Sequence, residues 1–105
     1  MSLHYYALEK LINLYDGYQK LLKIDEHNLL LLQIEGEYYL LESLCPHRGH
    51  PLSESDIHAE WLRCPLHGYR FAIPSGQLID YSEELCRNLK TYELVVEGRE
   101  LGVWL

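Results

Sequence analysis

The sequence predicts an all-β fold built from antiparallel hairpins. Short runs rich in leucine, valine and tyrosine recur near both ends of the chain, and acidic–glycine dipeptides separate them in pairs. Glu35-Gly36 lies between one pair and Glu97-Gly98 between the other, and glycine supplies the positive φ of a tight hairpin turn. Between the hairpins the texture changes: residues 44–76 hold all four prolines, three glycines and two of the three cysteines.

Taken in order, Tyr5–Leu8 reads as a brief strand. Leu8, Leu11, Ile12 and Tyr15 then fall at i, i+3, i+4 and i+7, which predicts one helical turn, ended by Asp16-Gly17. Tyr18 to Ile24 reads as a strand and Asp25 to Asn28 as a polar turn. The first hairpin pairs Leu29–Ile34 with Glu37–Glu42, and the second pairs Thr91–Val96 with Arg99–Trp104. Their β-branched and aromatic residues suit a pleated surface. Tyr5, Tyr6, Tyr38 and Tyr39 are expected to pack on these strands. The middle segment reads as loops, because Pro46, Pro51, Pro65 and Pro74 remove backbone donors. Its apolar content looks low, so such loops need an organising centre to be rigid. Leu52, Trp61 and Phe71 are expected to pack beneath them.

Composition narrows the function classes. A length of 105 residues predicts one domain with no room for a second catalytic one. With 48% hydrophobic and 24% charged residues the chain is not disordered as a whole. The longest purely apolar run, Leu29–Leu32, is far short of a membrane span. Glu9 and Lys10 come early and no long apolar stretch precedes them, so no secretory signal is expected. The net charge of −7 has the wrong sign for a nucleic-acid or anionic-membrane binder, whereas a basic protein partner fits. Three cysteines, an odd number, argue against a disulfide framework and for a reducing, cytoplasmic setting.

The organising centre is written as Cys45-Pro46-His47 and, after sixteen intervening residues, Cys64-Pro65-Leu66-His67. Two thiols and two imidazoles on two short loops make four soft-to-borderline ligands. A single zinc is one reading, although structural zinc sites usually pair a C-x2–4-C element with an H-x3–5-H element. A mixed Cys/His pair on each loop suits two metal atoms side by side.

These residues resemble the Rieske iron–sulfur family, specifically the Rieske-type ferredoxins of oxygenase systems. The likeness rests on CPHRGHPL at 45–52, CPLHGYRF at 64–71 and the following Gly76. It implies one 2Fe–2S cluster with Cys45 and Cys64 on the inner iron and His47 and His67 on the outer. It also implies a single Rieske domain over 1–105: an antiparallel β-sandwich base from 1–43 and 77–105, with a small cluster-binding subdomain inserted at about 44–76. Cysteine binds as thiolate and histidine as neutral imidazole. The histidine-ligated iron therefore keeps more positive charge and is expected to take the added electron. Backbone N–H groups in the turns around Gly49 and Gly68 are suitable donors to the sulfides.

The high-potential members of the family carry two further cysteines that staple the loops; the matching positions here are His50 and Leu66. They also carry a serine and a tyrosine whose hydroxyls face the cluster; the matching positions here are Tyr69 and Phe71. The resemblance therefore points to the low-potential class. It implies a non-enzymatic one-electron carrier that takes electrons from a flavin-dependent reductase and passes them to a terminal oxygenase. A small subunit of a reductase such as a nitrite reductase, a redox sensor and a zinc-stapled binding module are the alternatives. Arg48 and Arg70 flank the ligands and could dock a partner or be plainly solvated. His50 reads as a loop residue, Cys86 as a small apolar residue off the ligand pattern, and His4, His27 and His58 as surface residues. Asp80, Glu83 and Glu84 read as a wet acidic edge.

Overall fold

In the computed structural model, which describes residues 3–46, 49–65 and 68–105, the described strands form three antiparallel sheets stacked as layers. The first holds β1 (Tyr5–Lys10), β11 (Glu100–Trp104) and β10 (Leu94–Glu97), in that order. The second runs β2 (Gln19–Ile24), β3 (His27–Ile34), β4 (Glu37–Glu42) and β9 (Thr91–Tyr92). The third runs β5 (Asp56–Ile57), β6 (Trp61–Arg63), β7 (Arg70–Ala72) and β8 (Leu78–Asp80). Among the described residues no helix is long and apolar enough to cross a membrane.

The four consecutive leucines 29–32 are the pivot of this arrangement. Successive side chains on a strand point to opposite faces, so a run buried throughout belongs to a sheet covered on both sides. Leu29 and Leu31 face the first sheet, in a core with Leu8, Tyr18, Leu40, Leu101 and Val103. Leu30 and Leu32 face the third, in a core with Leu41, Leu62, Phe71 and Ile73. Burying each leucine contributes about 2 kcal/mol relative to leaving it in water. The first two sheets make the expected β-sandwich, and the third closes over the sandwich's other face.

Several expectations need correction. The turn between β2 and β3 is two residues long, Asp25-Glu26, because Ile24 pairs with His27; His27 and Asn28 belong to the strand. The run Thr91–Val96 is two strands. Thr91 and Tyr92 pair with Leu41 and Leu40, whereas Leu94 to Glu97 pair with β11, so the chain changes sheets at Glu93. The final turn is Gly98-Arg99, one residue later than its dipeptide suggests, with Glu97 opposite Glu100. The predicted helical turn is a 3-10 turn at Leu11–Asn13, but Ile12 is 88% exposed, so its spacing marks no buried face. The middle segment is no bundle of loops: it carries most of the third sheet and buries Leu52, Leu62, Tyr69, Phe71 and Ile73. Its strands of two or three residues are too short to display alternation.

Gly76 fastens the middle segment to the stretch that leads into β9. Its N–H donates to Ala72 O and its carbonyl accepts from Leu89 N–H, each at 2.7 Å. Its φ is +75°, and a Cβ there would overlap the Leu89 carbonyl. Only glycine meets both demands.

Candidate metal centre

The two cysteine loops are built alike. Leaving β4, the chain forms a bridge between Leu44 and Pro51, and Cys45 lies inside it. The Cys45 N–H donates to the carbonyl five residues on, His50 O, at 2.8 Å. Leaving β6, the Cys64 N–H donates to the carbonyl five residues on, Tyr69 O, at 2.7 Å. Each cysteine is followed by proline, and the fourth residue after each is a glycine in the left-handed region, Gly49 at φ +71° and Gly68 at +72°. Two turns of one design thus carry the two thiols. In the first, Gly49 N–H also donates to Cys45 O at 2.7 Å.

Both thiols are buried, Cys45 at 1% and Cys64 at 0% exposure, and neither is in a disulfide. They share one core with Leu52, Leu62, Tyr69 and Phe71. The expected packing beneath the loops holds for Leu52 and Phe71. Trp61 is instead half-buried at the edge, stacked on His58 with ring centroids 4.0 Å apart. Two buried thiols with apolar surroundings suit a bound metal group, because a thiolate in such a place is costly without a cation. The structure brings these two expected ligands into one core. His47 and His67, the other two, lie outside the described residues, as do Arg48 and Leu66. Within the described set no group of three or more histidines, cysteines and acids could hold a metal ion.

Cys86 packs against the same core, half-buried. Burial pushes its thiol up, and the nearby Cys45 adds to the rise. His50 contributes its backbone carbonyl to the first loop and is itself half-buried.

Around the site, Tyr69 stood out in the sequence only as the position matching a hydroxyl-bearing residue of high-potential relatives, and Arg63 did not stand out at all. Tyr69 is fully buried, and its hydroxyl donates to Glu84 O at 2.6 Å and accepts from Glu84 N–H at 2.9 Å. That hydroxyl is committed to the 81–87 segment. Arg63 lays its guanidinium over Gly68 in the second loop, 3.2–3.3 Å from where a Cβ would stand. Neither contact has a signal in local spacing, since each depends on how the third sheet folds back. Arg70 pairs with Asp80 at 3.0 Å and holds its guanidinium carbon 5.2 Å from the Trp61 ring centre.

The sequence profile described as Rieske [2Fe-2S] domain matches residues 4–93. The ferredoxin component of a naphthalene 1,2-dioxygenase system from Pseudomonas aeruginosa is 30% identical over 80 residues, spanning 76% of this chain and 75% of its own length. Among solved structures, the ferredoxin of carbazole 1,9a-dioxygenase from Nocardioides aromaticivorans IC177 superposes with a TM-score of 0.79 at 25% identity, covering 94% of this chain and 95% of that one. A chain in the reduced complex between oxygenase and ferredoxin of carbazole 1,9a-dioxygenase gives 0.84 at 27% identity; this chain is 95% covered and spans 28% of that chain's length.

Proposed function

The chain belongs to the Rieske 2Fe–2S domain family, and from that premise we propose that Cys45, His47, Cys64 and His67 hold its cluster, cysteines on one iron and histidines on the other. The protein is a ferredoxin-type electron carrier with one Rieske cluster, a component of an oxygenase system and not its catalyst. It carries single electrons to a terminal oxygenase. The observation that supports this ligand set is the repeated turn, with Cys45 and Cys64 at equivalent positions and both thiols in one apolar core.

When bound, the cluster supplies one reversible electron. The chain's own residues do the rest. Leu52, Leu62 and Phe71 exclude water from the thiolates. The paired cysteine turns fix the two ligand loops against the third sheet. The proposed division takes about 44–76 as the cluster-binding part and 1–43 with 77–105 as the base. The proposed donor is a flavin-dependent reductase, since a flavin can split a two-electron input into single electrons. The proposed setting is the cytoplasm, where free thiols such as Cys86 persist.

The test is analytical and kinetic. The purified protein is expected to be brown, with two irons and two acid-labile sulfides per chain, and to give a rhombic paramagnetic signal when reduced. Reductases encoded nearby are then tried as donors, with cluster reduction followed optically. Colourless protein holding one zinc, after anaerobic reconstitution with iron and sulfide, overturns the reading.

A further inference from the structure

Beside the second cysteine loop lies a groove of about 430 Å³, lined by Trp61, Arg63, Gly68, Arg70, Asp80 and Tyr81. Its chemistry runs against the rest of the molecule. The chain carries −7 overall, yet two guanidiniums converge here. Arg70 is neutralised by Asp80 and stacked over Trp61. Arg63 is exposed, rests on Gly68, and pairs with no carboxylate among the described residues. A guanidinium presents a planar fork of donors that matches a carboxylate two-for-two. Around it stand Trp61 and Tyr81, the latter 51% exposed; Tyr81 also borders a neighbouring groove lined by Ile79 and Leu85, 51% and 71% exposed. Arginine, tryptophan and tyrosine with a neighbouring apolar patch are the side chains that dominate protein–protein contacts.

We propose that this groove seats an acidic side chain of the terminal oxygenase, with Arg63 as the carboxylate fork and Trp61 and Tyr81 as the apolar flank. The proposal rests on the carrier function above. Charge complementarity selects this occupant. An acidic carrier is repelled by an acidic partner except where a local cation meets a carboxylate, and such a spot fixes which face docks. Arg63 touches the residue that follows His67, so a partner gripped there sits against the second ligand loop. Electron transfer demands that short approach. The sequence's own candidates were Arg48 and Arg70; the structure adds Arg63, whose guanidinium lines this groove, while Arg70 is occupied by Asp80.

The test uses holo-protein and two probes. A fluorescein-labelled hexaglutamate peptide is titrated at low ionic strength and its anisotropy followed. Wild type is expected to bind it, and Arg63→Gln to weaken binding at least five-fold. The difference should shrink at about 1 M salt, where the screening length falls to about 3 Å. A hexalysine peptide should be indifferent to the change. In parallel, protein reduced with dithionite is mixed with ferricyanide, which takes one electron and becomes ferrocyanide while the protein returns to its oxidised form; no proton moves. The second-order rate should fall as salt rises, despite the net negative charge, and drop several-fold in Arg63→Gln. An unchanged visible spectrum in Arg63→Gln excludes cluster loss as the cause. Absent peptide binding, or equal binding in wild type, Arg63→Gln and Arg70→Gln, overturns the proposal. So does a dimer that forms at low salt and dissolves in Arg63→Gln, which would give the groove to a second copy. Protein that holds no cluster, or none that is reversibly reduced, overturns the carrier reading instead.

Discussion

The Tyr69 hydroxyl meets one residue twice, donating to the carbonyl of Glu84 at 2.6 Å and accepting from its N–H at 2.9 Å. A single buried ring thereby fastens the 81–87 segment over the core that holds both cysteines. The position matches one where high-potential relatives place a hydroxyl toward the cluster, and here that hydroxyl is used on backbone fifteen residues away.

Tyr69→Phe keeps the buried ring and removes both hydrogen bonds. Each is worth about 0.5–1.5 kcal/mol net, and Glu84 is exposed, so water replaces part of the loss. The expected cost is about 1–2 kcal/mol in a denaturant titration, with the visible spectrum retained. Hydrogen exchange at the Glu84 amide should accelerate. An unchanged Glu84 exchange rate would remove the clamp from the account.

The sheets that pair neighbours in sequence were legible and the packing between sheets was not. Glu35-Gly36 marked the β3–β4 hairpin, and both residues take positive φ, +50° and +81°, as that turn demands. Leu29–Leu32 marked a buried run, but two-sided burial followed only once a third sheet covered Leu30 and Leu32. That sheet hid in strands of two or three residues. At the candidate metal centre, Cys45 and Cys64 stood out because the proposed ligand chemistry needs fixed residue types at short spacing. Arg63 did not, and Tyr69 was named only as the match of a cluster-facing hydroxyl; the roles seen here come from contacts across a fold-back, and Tyr69 reaches its partner fifteen residues away.

Cys45→Ser and Cys64→Ser should each abolish the cluster, read as lost visible absorbance and iron. Because metal binding energy is also folding energy, the third sheet should loosen while the first two persist. Cys86→Ser should leave iron content intact, because Cys86 lies outside the two-loop motif. Cluster loss in Cys86→Ser with retention in Cys64→Ser would reassign the ligands.

Gly76 and Gly98 make a matched pair for backbone substitution. Both have positive φ, +75° and +63°, but a Cβ at Gly98 meets nothing within 4 Å while one at Gly76 overlaps the Leu89 carbonyl. Gly98→Ala should cost the conformational penalty alone, about 1–2 kcal/mol. Gly76→Ala should cost at least about 3 kcal/mol, the same penalty plus a displaced backbone. Equal melting temperatures in the two variants would mean the 72–76 turn gives way freely.

Glu9 should set part of the acid limit of the base. The Tyr18 hydroxyl, then the Asn13 amide and the Lys10 N–H, hold its carboxyl down at about 2, from an ordinary 4.5. A carboxyl lowered on folding stabilises the native state above its unfolded value and loses that contribution as pH falls toward its folded one. The contribution is thus complete above about pH 4.5 and fades between there and pH 2. Glu9→Gln should lower stability at pH 7 by about 1–2 kcal/mol and by little at pH 2. A constant difference across that range would assign the loss to packing.

The reduction potential should lie in the lower part of the Rieske span of roughly −150 to +300 mV. Reduction adds negative charge, and hydroxyl donors at contact distance stabilise it. Here position 71 is phenylalanine, and the hydroxyl at 69 is held by Glu84. The −7 charge of the chain opposes the added electron as well, though salt screens that field and leaves the donor effect dominant. Phe71→Tyr is the cleaner probe, because Phe71 shares its core with both cysteines. One restored hydrogen bond of about 1 kcal/mol corresponds to a rise of about 40 mV for a one-electron couple. Tyr69→Ser would confuse the result, since it removes a fully buried ring and the Glu84 clamp together. Protein-film voltammetry of wild type and Phe71→Tyr decides the matter. A wild-type midpoint near the top of the span would reject the low-potential assignment. A low midpoint that does not move in a folded, fully loaded Phe71→Tyr would place its origin elsewhere than in the missing donor.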